Sequence, residues 1–198
     1  MSSSSSSSSS LLYINVLLLV LIHSSIQQGI LNDAISNATR RLLEAQDLKN
    51  RYLSSIVNTR NSINQKRDNL IDKQPSVKEE LEKYEDCQIE VHHKELVNRL
   101  LTNLNKFQEE LRRNYPKHSE KIIKELNEDI VKMKEYRDTL MDEEENKMCE
   151  KPENIDSNDL AKLSELLLKY FEDDYYIALY TLKEEYLSEL IKILKNAA

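Results

Sequence analysis

A glutamate and two adjacent histidines are the residues of this chain whose spacing most resembles a metal site. Glu90-Val91-His92-His93 contains Glu-x-x-His, the repeat with which di-iron carboxylate bundles hold their metals. Such a site needs a second copy on another helix, but the matching position before His118 is Tyr115. We therefore interpret His92 and His93 as surface or packing residues, and we predict no metal and no cofactor.

No other group of residues has the spacing of a catalytic site. The single glycine, Gly29, excludes a glycine-rich phosphate loop. Neither cysteine belongs to a Cys-x-x-Cys motif or stands beside a histidine. The acidic run 142–145 lacks the Asp, Asn and Gly pattern of a calcium loop. We therefore predict no catalytic residue and no enzymatic activity.

The two cysteines, Cys87 and Cys149, are candidates for a disulfide. Counted from a helix break near Tyr115, Cys87 lies 28 residues before it and Cys149 lies 34 residues after it. In an antiparallel hairpin the difference of about six residues between these two separations amounts to roughly 9 Å along the helix axis. A disulfide needs Cα atoms within about 7 Å. Unwinding after Met148 would close the gap, so the spacing is compatible with a bridge and also with two free thiols.

An aromatic cluster lies on the last predicted helix. Tyrosine rings bury area while their hydroxyl groups stay in contact with water. Such a cluster serves either for packing at the core boundary or as a wall for an apolar small ligand or a partner. The residues assigned to this wall are Tyr170, Phe171, Tyr175, Tyr176 and Tyr180.

Four helical segments position these residues. Over residues 30–72, apolar residues recur at alternating steps of four and three, with Lys49, Thr59 and Lys66 at polar seam positions. This heptad pattern predicts a helix that needs a partner along one side, either in the same chain or in a second copy.

Proline-containing breaks at 74–76, 114–116 and 150–158 separate three further amphipathic segments, 77–113, 117–148 and 159–196. With 1 Gly and 3 Pro, an all-β fold is excluded. We predict an all-α, elongated antiparallel bundle of three to four long helices with coiled-coil-like packing. Its parts are a polyserine and leader segment (1–28), the heptad helix (29–74) and a three-helix bundle (75–198).

The N-terminus predicts entry into the secretory pathway. After a polyserine run, residues 11–22 are apolar except for Asn15, which is too short for a membrane span but has the length of a signal-peptide core. We expect cleavage near Gln28-Gly29 and glycosylation at Asn37. An uncleaved anchor and a buried helix are the alternatives. The net charge of -7 and the lack of a basic stripe disfavour nucleic acid as a partner.

Residues 77–196 resemble the mite allergens of groups 5 and 21. The similar strings are LLTNLNKFQEEL (100–111), SEKIIKELNEDI (119–130) and DLAKLSELLLKYF (159–171). The resemblance implies a secreted three-helix antiparallel bundle without a recognised catalytic site, allergenic in humans, that holds an apolar ligand. The heptad helix, the Pro152 loop and the polyserine start lie outside the family pattern, and no functional residue is carried over.

A second resemblance lies at residues 40–44. Arg40-Arg41-Leu42-Leu43-Glu44 is similar to R-x-L-x-E, the export element of malaria-parasite proteins, which implies a cut between Leu42 and Leu43. Our hypothesis is a secreted, non-enzymatic bundle that acts by binding. The alternatives are a parasite protein exported to the host cell as a helical scaffold and an intracellular coiled-coil adaptor.

Overall fold

The computed structural model describes the backbone of residues 6–140 and 149–197, and within these ranges the side chains from residue 19 onward except residue 22. This part of the chain contains helices and no strand. The long helices pack against one another, which confirms the predicted all-α bundle. The elements are α1 (Ser6–Lys73), a short 3-10 helix (Pro75–Val77), α2 (Lys78–Asn114), α3 (Glu120–Thr139) and α4 (Ser157–Ala197).

The bounds of α2 and α4 lie within two residues of the predicted ones, because local signals set them. Pro75 and Pro116 stand in the two breaks that flank α2. At the start of α4, the carboxylate of Asp156 accepts hydrogen bonds from the backbone N–H groups of Asn158 (2.9 Å) and Asp159 (3.3 Å). Asp156 is therefore the N-terminal cap of this helix.

Two helices differ in length from the prediction. The helix predicted for 30–72 is the second part of α1, which begins at Ser6. The third helix ends at Thr139, where Leu140 adopts an extended conformation (φ -79°, ψ 144°), so the prediction of one helix to Met148 is wrong at this point. The sequence continues with four acidic residues, 142–145, and the helix dipole disfavours negative charge in the last turn of a helix. The rest of that predicted helix, 141–148, lies outside the described residues.

Helix α1 runs antiparallel to α4 along most of its length. Gln46 donates to Glu184 (3.0 Å), and nearer the C-terminal end of α1 Lys66 donates to Asp159 (2.6 Å). As residue numbers rise along α1 they fall along α4. The partner that the heptad pattern requires is thus the last helix of the same chain.

The other two helices complete an up-down-up-down bundle. Helix α2 runs parallel to α4, since the Tyr84 hydroxyl lies 2.7 Å from that of Ser164 and Asn103 donates to Tyr175 over 2.5 Å. Helix α3 runs antiparallel to α2 and to α4. Within residues 6–140 and 149–197, one half of the bundle therefore has four helices and the other half has three.

Two core clusters follow from this arrangement. The large core lies in the four-helix half and the small core in the three-helix half, and α1 contributes to both. The large core is centred on Ala38, Leu104, Phe107, Leu111, Ile122, Leu126, Leu190 and Leu194. The small core consists of Ile63, Leu70, Leu81, Tyr84, Leu160, Leu163 and Leu167.

Candidate binding groove

A groove with a volume of about 320 Å³ lies between α2 and α4. Helix α3 contributes none of its lining residues and reaches it only at Tyr136, whose hydroxyl lies 3.3 Å from Nε2 of His93. We call this feature the α2–α4 groove. It is lined by Ile89, His93, Leu96, Val97 and Leu100 of α2 and by Tyr170, Phe171, Asp174, Tyr175 and Ala178 of α4.

The ring of Tyr175 is a fixed part of the wall. Only 5% of this residue is exposed. Its hydroxyl accepts a hydrogen bond from Asn103 (2.5 Å) and donates to the backbone carbonyl of Arg99 (3.4 Å). The Arg99 guanidinium lies 5.0 Å from the ring centroid. Burial raises the pKa of the Tyr175 hydroxyl against the opposing effects of Asn103 and Arg99, so this group stays protonated at neutral pH.

The opposite end of the groove is aromatic and more open. Tyr170 and Phe171 meet edge to face with ring centroids 5.8 Å apart. The ring centroid of His92 lies 6.4 Å from that of Phe171. Asp174 is exposed at the rim. The described part of the chain contains no ion pair to this carboxylate. The groove thus combines an apolar floor with one unpaired negative charge.

The structure divides the predicted aromatic wall between two faces of α4. Tyr170, Phe171 and Tyr175 line the α2–α4 groove, whereas Tyr176 and Tyr180 do not. The last two stack on Tyr52 of α1, with centroid distances of 4.5 and 6.0 Å. Each residue advances about 100° around a helix, so Tyr176 points to a different neighbour from Tyr175.

Sequence reasoning missed the α2 half of the groove. His93 was interpreted as a surface or packing residue, and Leu96 and Leu100 carried no assignment to a site. A signal was present in the sequence, because Ile89, His93, Leu96 and Leu100 follow one another at steps of four, three and four. This row forms one side of α2, and it faces the groove because α3 is too short to cover it.

The predicted cysteine pair is the pair that the structure joins. Cys87 and Cys149 form a disulfide with Cα atoms 5.7 Å apart. It ties α2, two residues before the groove begins at Ile89, to the segment that leads into α4. Cys149 also packs against the small core. The bridge therefore fixes the segment before α4 to α2.

The leader and the heptad part of α1 differ in burial. The described side chains from Leu19 to Ile30 are all exposed, and the first partly buried residue is Leu31. The contacts of α1 with the bundle therefore begin just after the predicted cut at 28/29. Asn37 is exposed on the helix surface beside the buried Ala38, so a glycan at Asn37 would point away from the core.

The R-x-L-x-E segment is folded into α1. Arg40 and Glu44 form an exposed ion pair of 3.2 Å one turn apart. Leu42 packs against the large core, and Arg41 lies over the Phe107 ring, 5.9 Å from its centroid. The bond between Leu42 and Leu43 is therefore inside a helix that the bundle holds in place.

A second cavity, of about 590 Å³, lies at the end of the bundle beside the leader. Ile30, Leu31 and Ala34 of α1 face the turn at Tyr115 and Pro116. Other parts of its wall come from residues 24–28, which belong to the segment that the predicted cut removes. We therefore take the α2–α4 groove as the candidate site.

The described residues contain no group of three or more His, Cys, Asp and Glu side chains arranged to hold a metal. Glu90 is exposed, and His93 contacts Tyr136. Within the described helices we also find no apolar stretch of the length that a membrane crossing requires.

Residues 104–198 match a family described as "Protein of unknown function (DUF3091)". The matched part runs from the middle of α2 to the end of the chain, so it includes the α4 wall of the groove but not the α2 wall. The chain matches no curated protein and no solved structure. The similarity thus concerns one half of the groove.

Proposed function

We propose that this protein is a secreted, non-enzymatic helical bundle that binds an apolar ligand in the α2–α4 groove. The observation that carries the proposal is the groove itself. It places Phe171, Leu96 and Leu100 around an open space of about 320 Å³, which is within the size range of small-molecule sites. The resemblance to the mite allergens of groups 5 and 21 supports the same interpretation and stays a prediction.

Secretion has two structural supports. Disulfides persist in oxidising compartments, and Cys87 and Cys149 are joined by one. The exposed run Leu19–Ile30 ends where the bundle contacts of α1 begin, so the described side chains up to residue 28 add nothing to the core. By contrast, the exposed side chains of Leu19, Val20 and Leu21 do not favour the intracellular alternative, in which the leader belongs to the core.

The location of the protein is tested by mass spectrometry of material from its native source, with and without reduction. We expect a chain that begins at Gly29 and gains 2 Da on reduction, the mass of two hydrogen atoms. A chain that begins at Leu43 would contradict the proposal and would support export to a host cell. An intact polyserine start with two free thiols would replace it by the intracellular adaptor.

Ligand binding is tested with the oxidised chain and N-phenyl-1-naphthylamine, an apolar dye that fluoresces in apolar surroundings. Ala178 lines the groove and is exposed, so Ala178→Phe should fill the groove and abolish the fluorescence increase. Ala161→Phe is the matched control, because Ala161 is an exposed alanine of α4 that does not line the groove. Equal fluorescence with both variants would contradict the proposed site.

A further inference from the structure

We infer that the α2–α4 groove selects an organic cation, a ligand with an ammonium group on an apolar body, and that Asp174 is its counter-ion. This inference rests on the proposed function and adds the charge of the ligand to it.

Asp174 is the acidic side chain in the wall of the groove. It is exposed at the rim, and none of the lining residues is a lysine or an arginine. Arg99, whose guanidinium lies 5.0 Å from the centroid of the Tyr175 ring, is paired with Glu172 at 3.4 Å. The remaining titratable side chains of the wall are His93, Tyr170 and Tyr175. A carboxylate ligand would therefore meet the Asp174 carboxylate and no lysine or arginine in the lining.

The aromatic rings provide a second attraction for a cation. The face of an aromatic ring attracts a cation that lies within about 6 Å of its centroid. Tyr175 already holds the Arg99 guanidinium in this way, at 5.0 Å. Tyr170 and Phe171 lie in the same wall as Asp174. An ammonium group near Asp174 would thus have ring faces and a carboxylate together.

The rest of the groove suits an apolar body. Ile89, Leu96, Val97 and Leu100 form the α2 wall, and they would bury alkyl or aryl carbons from water. The ligand class that matches both parts is an alkyl or aryl ammonium ion. A fatty acid matches the apolar part alone.

The test compares three probes of the same chain length, which are octylammonium, 1-octanol and octanoate. Each is titrated against the oxidised protein carrying N-phenyl-1-naphthylamine, and displacement of the dye gives its affinity. We expect octylammonium to bind about tenfold more tightly than 1-octanol, the combined effect of one exposed ion pair and one cation–aromatic contact. Octanoate should bind more weakly than 1-octanol.

Two variants test whether Asp174 causes the preference for octylammonium over 1-octanol. Asp174→Asn should lower the preference for octylammonium over 1-octanol from about tenfold to about threefold, because the ion pair is lost and the cation–aromatic contact remains. Glu165→Gln, at an exposed position of α4 that does not line the groove, should leave the preference unchanged. Circular dichroism during heating verifies that both variants fold like the parent chain.

The outcomes distinguish the selectivity for a cation from the binding of apolar ligands in the groove. Equal affinity of the three probes for the parent chain, or a preference for octylammonium that Asp174→Asn leaves unchanged, overturns the inference and leaves the apolar groove in place. Failure of every probe and of the dye to bind overturns the proposed function as well.

Discussion

The hydroxyl of Thr59 donates a hydrogen bond of 3.4 Å to the carboxylate of Asp173 in the middle of the contact between α1 and α4. Both residues are buried, with 3% and 4% of their surface exposed. The other two polar seam positions of α1 also meet carboxylates of α4, since Lys49 pairs with Glu184 and Lys66 with Asp159. The polar seam residues have partners in a single register of α1 against α4. They therefore specify that register.

Removal of the Thr59 hydroxyl should destabilise the bundle. In Thr59→Val, the buried Asp173 carboxylate loses a donor while the shape of the side chain is nearly kept, so we expect the free energy of unfolding to fall by about 1–3 kcal/mol. The measurement is urea unfolding followed by circular dichroism. The double variant Thr59→Val/Asp173→Leu should recover most of the loss, because no charge is then buried. An unchanged stability of Thr59→Val would show that the hydrogen bond contributes nothing.

Reduction of the disulfide should lower stability by a larger amount. Cys87 and Cys149 are 62 residues apart in sequence, and closure of a loop of this length in the unfolded chain corresponds to about 4 kcal/mol. Urea unfolding with and without a reductant measures the difference. The Cys87→Ala/Cys149→Ala variant is the control, since its stability should match that of the reduced parent chain and should not respond to reductant.

Ionisation of Glu85 should lower the free energy of unfolding as the pH rises from 4 towards neutrality. Burial raises the pKa of this carboxyl, against the opposing effect of Arg67, whose guanidinium lies 3.6 Å away. A carboxyl with a raised pKa binds more protons in the folded state than in the unfolded one. Stability is therefore lost as pH increases from about 4.3, the value in an unfolded chain, through the folded-state pKa.

The test of this dependence is Glu85→Gln. The free energy of unfolding of this variant, relative to that of the parent chain, should be higher at pH 7 than at pH 4. Glu95→Gln serves as the control, because Glu95 is exposed on the same helix and is not among the charges that shift the Glu85 pKa, so it should show no such change. A constant difference between parent and Glu85→Gln at both pH values would refute the role of Glu85.

The two predicted processing sites should differ in their effect on the fold. A chain that begins at Gly29 loses only exposed side chains among the described residues and should unfold at the same urea concentration as the full chain. A chain that begins at Leu43 loses Ala38, which is fully buried, and the partly buried Leu31 and Leu42. Its free energy of unfolding should fall by about 3 kcal/mol or more. Equal stability of the two shortened chains would mean that residues 29–42 add nothing to the core.

The amino-acid sequence by itself determined the features that depend on neighbours along the chain. Apolar residues at helical spacing predicted the helices, and Pro75, Pro116 and Asp156 mark the limits of α2 and α4, because breaks and caps act over a few residues. The same counting along the chain showed that a bridge between Cys87 and Cys149 was possible and left two free thiols as the alternative.

Tertiary structure alone decided the features that depend on residues far apart in the chain. A heptad pattern indicates that α1 needs a partner, but the choice of α4 follows from which carboxylates its polar seam residues can reach. Among the described residues, the groove lies where α3 has ended at Thr139 and contributes no lining to one side of α2. The division of the tyrosines of α4, with Tyr175 in the groove and Tyr176 against Tyr52, follows from the positions of both neighbouring helices. Periodicity reports which side of a helix is apolar, and only packing determines what covers it.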